Sequence, residues 1–229
     1  GFTEEFLFCL FGGILIAILI PLVVYFGLSR KLSKADAAGI AATYGSVSAV
    51  TFIAGTTWLE SKGIEYAGSM TAVLALMEAP AIVMALYLYG MSSNEGRLNK
   101  RILHEAFLNS SVYLLLGSLL IGMLSGPFGK ESVGTLVFDL FKGLLCFFLL
   151  DLGIKAGTSI RNLEISWRLI LAGIVIPLLG ASLAIVWSYF FSVSAPQAFL
   201  LATLAAGASY IAVPAALQLA LPEARSGIY

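Results

Sequence analysis

From Leu169 to Leu221 the chain runs for 53 residues without one Asp, Glu, Lys or Arg. A single buried helix cannot use a run of that length, whereas two membrane-crossing helices joined by a short link can. Charged residues make up 11% of the 229, less than half of the about 25% that covers an ordinary soluble domain. A soluble globular enzyme is thereby excluded. The 13 basic and 13 acidic residues cancel to a formal net charge of zero, so there is no basic excess to neutralise the phosphates of a nucleic acid. Cys9 and Cys146 lie inside apolar runs and suggest neither a disulfide framework nor a metal site. The fold class is all-α integral membrane.

Seven apolar segments can be marked by where the charges stop: Phe6–Leu28, Gly39–Leu59, Tyr66–Tyr89, about Ala106–Leu124, about Val133–Leu152, Leu169–Phe190, and a last one from near Gln197 to before Pro222. Each approaches the ~20 residues that cross ~30 Å of hydrocarbon as a helix. Strands are disfavoured, because a barrel shows ~10-residue alternating segments. If the loop after the first segment is cytoplasmic, Arg30, Lys31, Lys34, Arg97, Lys100, Arg101, Lys155, Arg161, Arg168 and Arg225 share that side, against Lys62 and Lys130. This positive-inside bias puts the amino terminus outside, the stretch Met91–Glu105 in the cytoplasm as the main loop, and the chain in the cell (inner) membrane as a multi-pass protein.

Sliding the sequence by 160 positions aligns Glu4 with Glu164, Gly13 with Gly173, Ile14 with Ile174, Ile16 with Ile176, Leu19 with Leu179, Ala38 with Ala198, Ala42 with Ala202 and Thr43 with Thr203. In both copies an acidic residue opens a long segment, and a segment rich in small residues follows. The copies begin at the first and sixth segments, five spans apart, so they cross the membrane in opposite senses, as inverted repeats of secondary transporters do. Five-span repeats imply ten spans, of which seven lie in this chain, with two expected before Gly1 and one after Tyr229.

The second segment carries Thr43-Tyr44-Gly45-Ser46-Val47-Ser48-Ala49-Val50-Thr51, and its counterpart carries Ala205-Ala206-Gly207-Ala208-Ser209-Tyr210-Ile211-Ala212-Val213-Pro214. Small residues of this kind permit close helix packing, and they also permit local unwinding. Pro214 removes a backbone donor. Where a helix breaks, the amides opening the next half-helix attract an anion, and the freed carbonyls with nearby hydroxyls suit a hard cation. Glu78, followed by Pro80, is the lone formal charge of the third segment; an ionisable group at that depth marks a functional site by default. Asp139 and Asp151 lie near the ends of the fifth segment, within pairing range of Lys142 and Lys155. His104 is the one histidine, so Ser-His and Cys-His nucleophilic sites are unsupported, and no Walker-type loop is present.

The stretches Tyr44–Thr51, Met77–Ala81 and Ala205–Pro214, with Lys142–Leu145, resemble the sodium-dependent bicarbonate transporter family of the SbtA type. The resemblance implies ten spans in two inverted repeats, a homotrimer, and an elevator-like movement of a core domain against a gate domain. By it, residues 1–90 and 162–229 form the core (spans 1–3 and 6–7), residues 91–105 the cytoplasmic loop, and residues 106–154 part of the gate. Carried over by position, Gly45, Ser48 and Thr51 match the first broken-helix motif, Ser209 matches the second, and Glu78 stands where the family has an acidic residue; with Ser46, Gly207, Ala208 and Tyr210 beside them they make up the expected substrate and ion site. Ile211 and Pro214 also match the second motif, and Glu78, Ser48 and Ser209 are the expected sodium ligands. Sodium enters as the coupling ion, with no other cofactor. The chain departs from the pattern at Tyr210, which stands in the place of an Asp, and at Gly207, Ala208 and Ala212, which replace serines. Sodium-coupled uptake of bicarbonate is the expected function. Uptake of another small anion, such as a carboxylate, is the alternative within transport. A non-transporting sensor or scaffold that binds a cytoplasmic partner through Met91–Glu105 is the alternative outside it. The resemblance also implies a PII-like cytoplasmic regulator; lipid is the surrounding partner.

Overall fold

The computed structural model describes residues 3–92, 110–134, 136, 140–160, 167–210, 213, 214, 217, 221, 223 and 224. Helix α1 (Glu4–Leu28) is 25 residues long, about 37 Å at ~1.5 Å per residue and more than the ~30 Å of hydrocarbon. The Thr3 hydroxyl caps it by accepting from the Phe6 amide at 3.3 Å, and Glu4 and Glu5 sit in its first turn, where the helix dipole favours negative charge. Helix α2 (Lys34–Gly45) starts on Ser33, whose hydroxyl accepts from the Asp36 amide at 3.0 Å. Helices α3 (Ala49–Ser61) and α4 (Met70–Ser92) follow, then α5 (Ser110–Gly134), bent where Gly126 takes φ 55° and ψ −149°. The remaining elements are α6 (Phe141–Ile160), α7 (Trp167–Phe190) and α8 (Ala195–Ala205), the last with a proline in its first turn.

Among the described residues four segments are long and apolar enough to cross a membrane: Glu4–Leu28, Lys34–Ser61, Met70–Ser92 and Leu169–Phe190. Lys34–Ser61 is α2 and α3 together, so the second expected span is present but broken. The seventh begins as expected and is cut at Ala205 after 11 residues. The fourth and fifth differ most from expectation. Helix α5 runs on to Gly134 through Lys130 and Glu131, and α6 starts at Phe141, not Val133, because charge at a helix end does not stop a helix whose neighbours favour one. Of the expected loop Met91–Glu105, Met91 and Ser92 are the last two residues of α4; its remainder lies outside the described residues, as do His104, Asp139 and Ile211.

Helices α1, α2 and α4 form one packed unit around Ile16, Ile20, Ile40, Val73, Met77 and Ile82. Helix α2 is buried on nearly every side, from Ala35 through Thr43 and at Gly45, which its run of alanines allows by keeping its diameter small. Helix α8 inserts Leu200, Leu201 and Leu204 against α7, α3 and α1. Helices α1 and α7 are antiparallel. Near the start of α1, the Trp187 indole N–H donates to the Phe8 carbonyl at 2.9 Å and lies over Gly12, where a Cβ would strike the ring. At the same end, Glu5 accepts from the Ser194 amide at 2.6 Å, placing its carboxylate at the start of α8. At the opposite end the Tyr25 and Ser92 hydroxyls are hydrogen-bonded, and the Lys34 ammonium donates to the Ser92 carbonyl. On α5 and α6, Leu120, Ile121, Leu124, Phe128, Phe147 and Leu150 are exposed.

Candidate functional site

Helix α2 ends because the backbone turns extended at Ser46 (φ −85°, ψ 175°) after the Ser46 amide has donated to the Ala42 carbonyl at 3.0 Å. Val47 is buried, and the chain becomes helical again after Ser48. Ser48 is a full N-cap: its hydroxyl accepts from the Thr51 amide at 3.3 Å, and the Thr51 hydroxyl donates back to the Ser48 carbonyl at 2.9 Å. One membrane-length segment is thus two half-helices, with carbonyls facing the gap from α2 and amides facing it from α3. The end of α2 is fixed by packing. Gly45 lies against Pro21 of α1 and, at 3.1 Å for a Cβ, against Ala81 of α4, so no larger residue fits there.

The second break has the same plan. Helix α8 ends with the Ala206 amide on the Ala202 carbonyl at 2.9 Å and the Gly207 amide on the Leu204 carbonyl at 3.0 Å. Gly207, Ala208, Ser209 and Tyr210 are non-helical, and Val213 and Pro214 are helical again. The Ser209 hydroxyl accepts from the Val213 amide at 3.4 Å, capping the new helix much as Ser48 caps α3. Gly180 of α7 sits against the Ala205 carbonyl so closely that a Cβ has no room. Helices α2 and α8 end 160 residues apart, at Gly45 and Ala205.

The two breaks touch. The Ser209 amide donates to the Thr43 carbonyl at 2.9 Å, satisfying an acceptor that α2 abandons by ending. A Cβ on Gly207 would lie 3.1 Å from the Ser48 amide nitrogen and 3.5 Å from the Thr51 hydroxyl, so the backbone of one break approaches the opening amides of the other at van der Waals distance. Ser46 ties the cluster to α4 by donating its hydroxyl to the main-chain carbonyl of Glu78 at 3.3 Å. Glu78 is 4% exposed, within a helix that Pro80 deprives of one backbone donor.

Of the residues expected from sequence, Gly45, Ser46, Ser48, Gly207 and Ser209 are buried, half-buried Thr51 lies beside them, and Glu78 joins them through its main chain. Ala208 and Tyr210 are half-buried on the rim. Tyr210 turns toward α6, where its ring stacks on Phe148 with centroids 6.3 Å apart and planes at 23°. Pro214 is helical, after the break rather than at it. Among the described residues no three His, Cys, Asp or Glu side chains gather.

Two residues were not marked as site residues from the sequence. The Thr43 hydroxyl is buried, with no hydrogen-bond partner among the described residues, in the residue whose carbonyl receives Ser209. Its counterpart Thr203 bonds back to the Phe199 carbonyl at 2.8 Å, the usual resort of a helical threonine. The identity of Thr43 and Thr203 under the 160-residue shift was the available signal. Phe148 left none, since its contact with Tyr210 is purely tertiary.

Comparison with curated proteins finds no match. The apolar helices fit a multi-pass membrane protein, and the whole length of the chain, residues 1–229, matches the sequence profile of the Na⁺-dependent bicarbonate transporter superfamily. A transporter, not an enzyme, the chain belongs to the Na⁺-dependent bicarbonate transporter superfamily.

Proposed function

We propose that this chain couples inward movement of Na⁺ to uptake of a small anion, bicarbonate first, at the meeting point of its two broken helices. The observation that carries the reading is the contact itself: Ser209 bonded to the Thr43 carbonyl, and Gly207 against the Ser48 amide. At that point a half-helix begins after Ser48, and helical backbone is present again at Val213 after Ser209; amides and dipoles at helix starts favour a negative charge without a basic side chain. Two half-helices also end there, and carbonyls with the Ser46, Ser48 and Thr43 hydroxyls favour a hard cation. The orphan Thr43 hydroxyl supports the cation: a buried hydroxyl without a partner costs about 1–3 kcal/mol, and Na⁺ relieves it. Glu78 supplies charge compensation from α4, with Ser48 and Ser209 as further ligands.

The reading extends to the rest of the chain. The matching ends of α2 and α8, and the equivalent seating of Gly45 on α1 and of Ala205 on α7, support an inverted repeat of two five-span units. Residues 1–90 and 162–229 then form the moving core and residues 106–154 part of the gate, in an elevator-type mechanism within a trimer. The amino terminus of the chain faces outside, residues 91–105 face the cytoplasm, and a PII-like regulator is the partner expected there.

Protein reconstituted in liposomes accumulates labelled bicarbonate when a Na⁺ gradient points inward, and equal uptake with K⁺ sinks the coupling. Glu78→Gln removes the charge with little change in volume. It should lower Na⁺-dependent uptake about tenfold while the protein still purifies as a folded species; unchanged uptake makes Glu78 structural. One observation favours a second substrate. Tyr210 brings a phenol donor and a flat apolar face to the rim, features that suit a small carboxylate better than bicarbonate. Competition of formate, acetate and bicarbonate for uptake separates the two.

A further inference from the structure

Helices α1 and α7 are pinned together at one end by Trp187, Phe8 and Gly12 and part toward the other, leaving a groove of about 420 Å³. Its walls are apolar, with Val23 and Gly27 from α1 and Leu171 and Val175 from α7. Two residues of different character stand at its mouth, Lys31 just beyond α1 and Trp167 at the start of α7. From Trp167 to Leu179, the deepest α7 residue of the wall, the helix advances 12 residues, about 18 Å at ~1.5 Å each. One leaflet is about 15 Å of hydrocarbon, so the groove has the length of a single acyl chain.

The mouth has the chemistry of a headgroup. Lys31 is exposed, and its ammonium has no acceptor among the described residues. Among the described residues no carboxylate lines the groove. Arg30 is exposed beside it, and Lys34, whose ammonium does have a partner, is three residues on. An indole belongs at the level where hydrocarbon meets headgroups, and Trp167 is 67% exposed there. We infer that this groove binds a phospholipid with a net-negative headgroup, one acyl chain between α1 and α7 and its phosphate on Lys31. The inference goes beyond the transport reading and does not depend on it.

The test titrates the full chain, in neutral detergent, with phosphatidylglycerol or phosphatidylcholine and reads bound lipid by native mass spectrometry. One basic group near a membrane surface contributes about 1 kcal/mol toward an anionic lipid, so wild type should prefer phosphatidylglycerol about fivefold. Lys31→Gln should bring the two lipids within about twofold, and Leu171→Trp, which fills the groove from an exposed position, should weaken both about fivefold or more. Equal affinities in wild type overturn the inference, and so does a preference that survives both substitutions. Lipid binding unchanged by Leu171→Trp, with a smaller oligomer, would assign the groove to a second copy of the chain and overturn it equally.

Discussion

The two breaks are built on one plan and filled with different chemistry. The first gathers buried Ser46 and Ser48 and half-buried Thr51 with the buried hydroxyl of Thr43, which has no partner among the described residues, and is tied to Glu78 by a hydrogen bond. The second is Ala206, Gly207 and Ala208 with one serine, and its rim faces Phe148 on α6. At equivalent positions Thr43 leaves its hydroxyl open while Thr203 closes its own on the preceding turn. In the proposed site the first break would therefore supply ligands, and the second room and one amide. If a duplicated unit produced both, only one copy kept the polar side chains, and the other became the surface against which they are presented.

Four substitutions break or sharpen that contrast, and the largest effect is expected at Gly207. Valine there pushes a branched side chain against the Ser48 amide and the Leu204 carbonyl, both about 3 Å from where its Cβ would sit. Na⁺-dependent uptake should fall at least a hundredfold. If uptake persists, the approach of the two breaks is not where the solute binds. Thr43→Val comes next, since it keeps the shape and removes one oxygen. Half-saturation by Na⁺ should rise about tenfold, equivalent to about 1.4 kcal/mol. Without Na⁺ the melting temperature should hold or rise, because an unsatisfied buried hydroxyl has gone; a fall there, with Na⁺ dependence intact, assigns Thr43 to packing alone.

A smaller change is expected on the rim of the second break. Tyr210→Phe keeps the stack on Phe148 and deletes the phenol oxygen, so the competition ratio of carboxylate to bicarbonate should fall about threefold, with total uptake little altered. A ratio that does not move removes the phenol from selectivity. The smallest effect lies away from both breaks, in the connection between α3 and α4, before α4 begins at Met70. Burial, and then the hydrogen bond and charge of Glu60, raise the Tyr66 phenol above its ordinary value of 10.0, opposed by a hydrogen bond with Thr56. The group protects the fold in its protonated form, so its contribution is complete below pH ~10 and fades as pH climbs through the raised value. Melting temperature should therefore drop more steeply above pH ~10 in wild type than in Tyr66→Phe, and parallel curves would show that this phenol adds nothing.

Much of this was legible in the sequence, for reasons particular to each element. Helices α1 and α7 lie close to the limits set by their flanking charges, because hydrophobic length is a property of composition alone. The breaks were legible because Gly, Ser and Thr in mid-membrane have few other uses. Helix α5 was not, because Lys130 and Glu131 read as a loop while the backbone carries the helix through them to Gly134. The open hydroxyl of Thr43 was hidden for a different reason: a threonine that bonds its own helix and one that does not are the same letter. Phe148 stayed hidden because its contact with Tyr210 spans 62 residues of chain.

The single hydrogen bond from Ser209 to Thr43 also restricts what lengths this chain can have. Adding or deleting one residue in α2 or α8 rotates everything beyond it by about 100° and shifts it by ~1.5 Å. The Ser209 amide would then face a side chain rather than a carbonyl, and Gly207 would leave the Ser48 amide. Relatives of this chain can exchange one apolar residue for another over their outer surfaces, but the spacing from Ser33 to Ser48 and from Ser194 to Ser209 has to be inherited intact. A change in either length would have to be matched on the other side of the crossing in the same step.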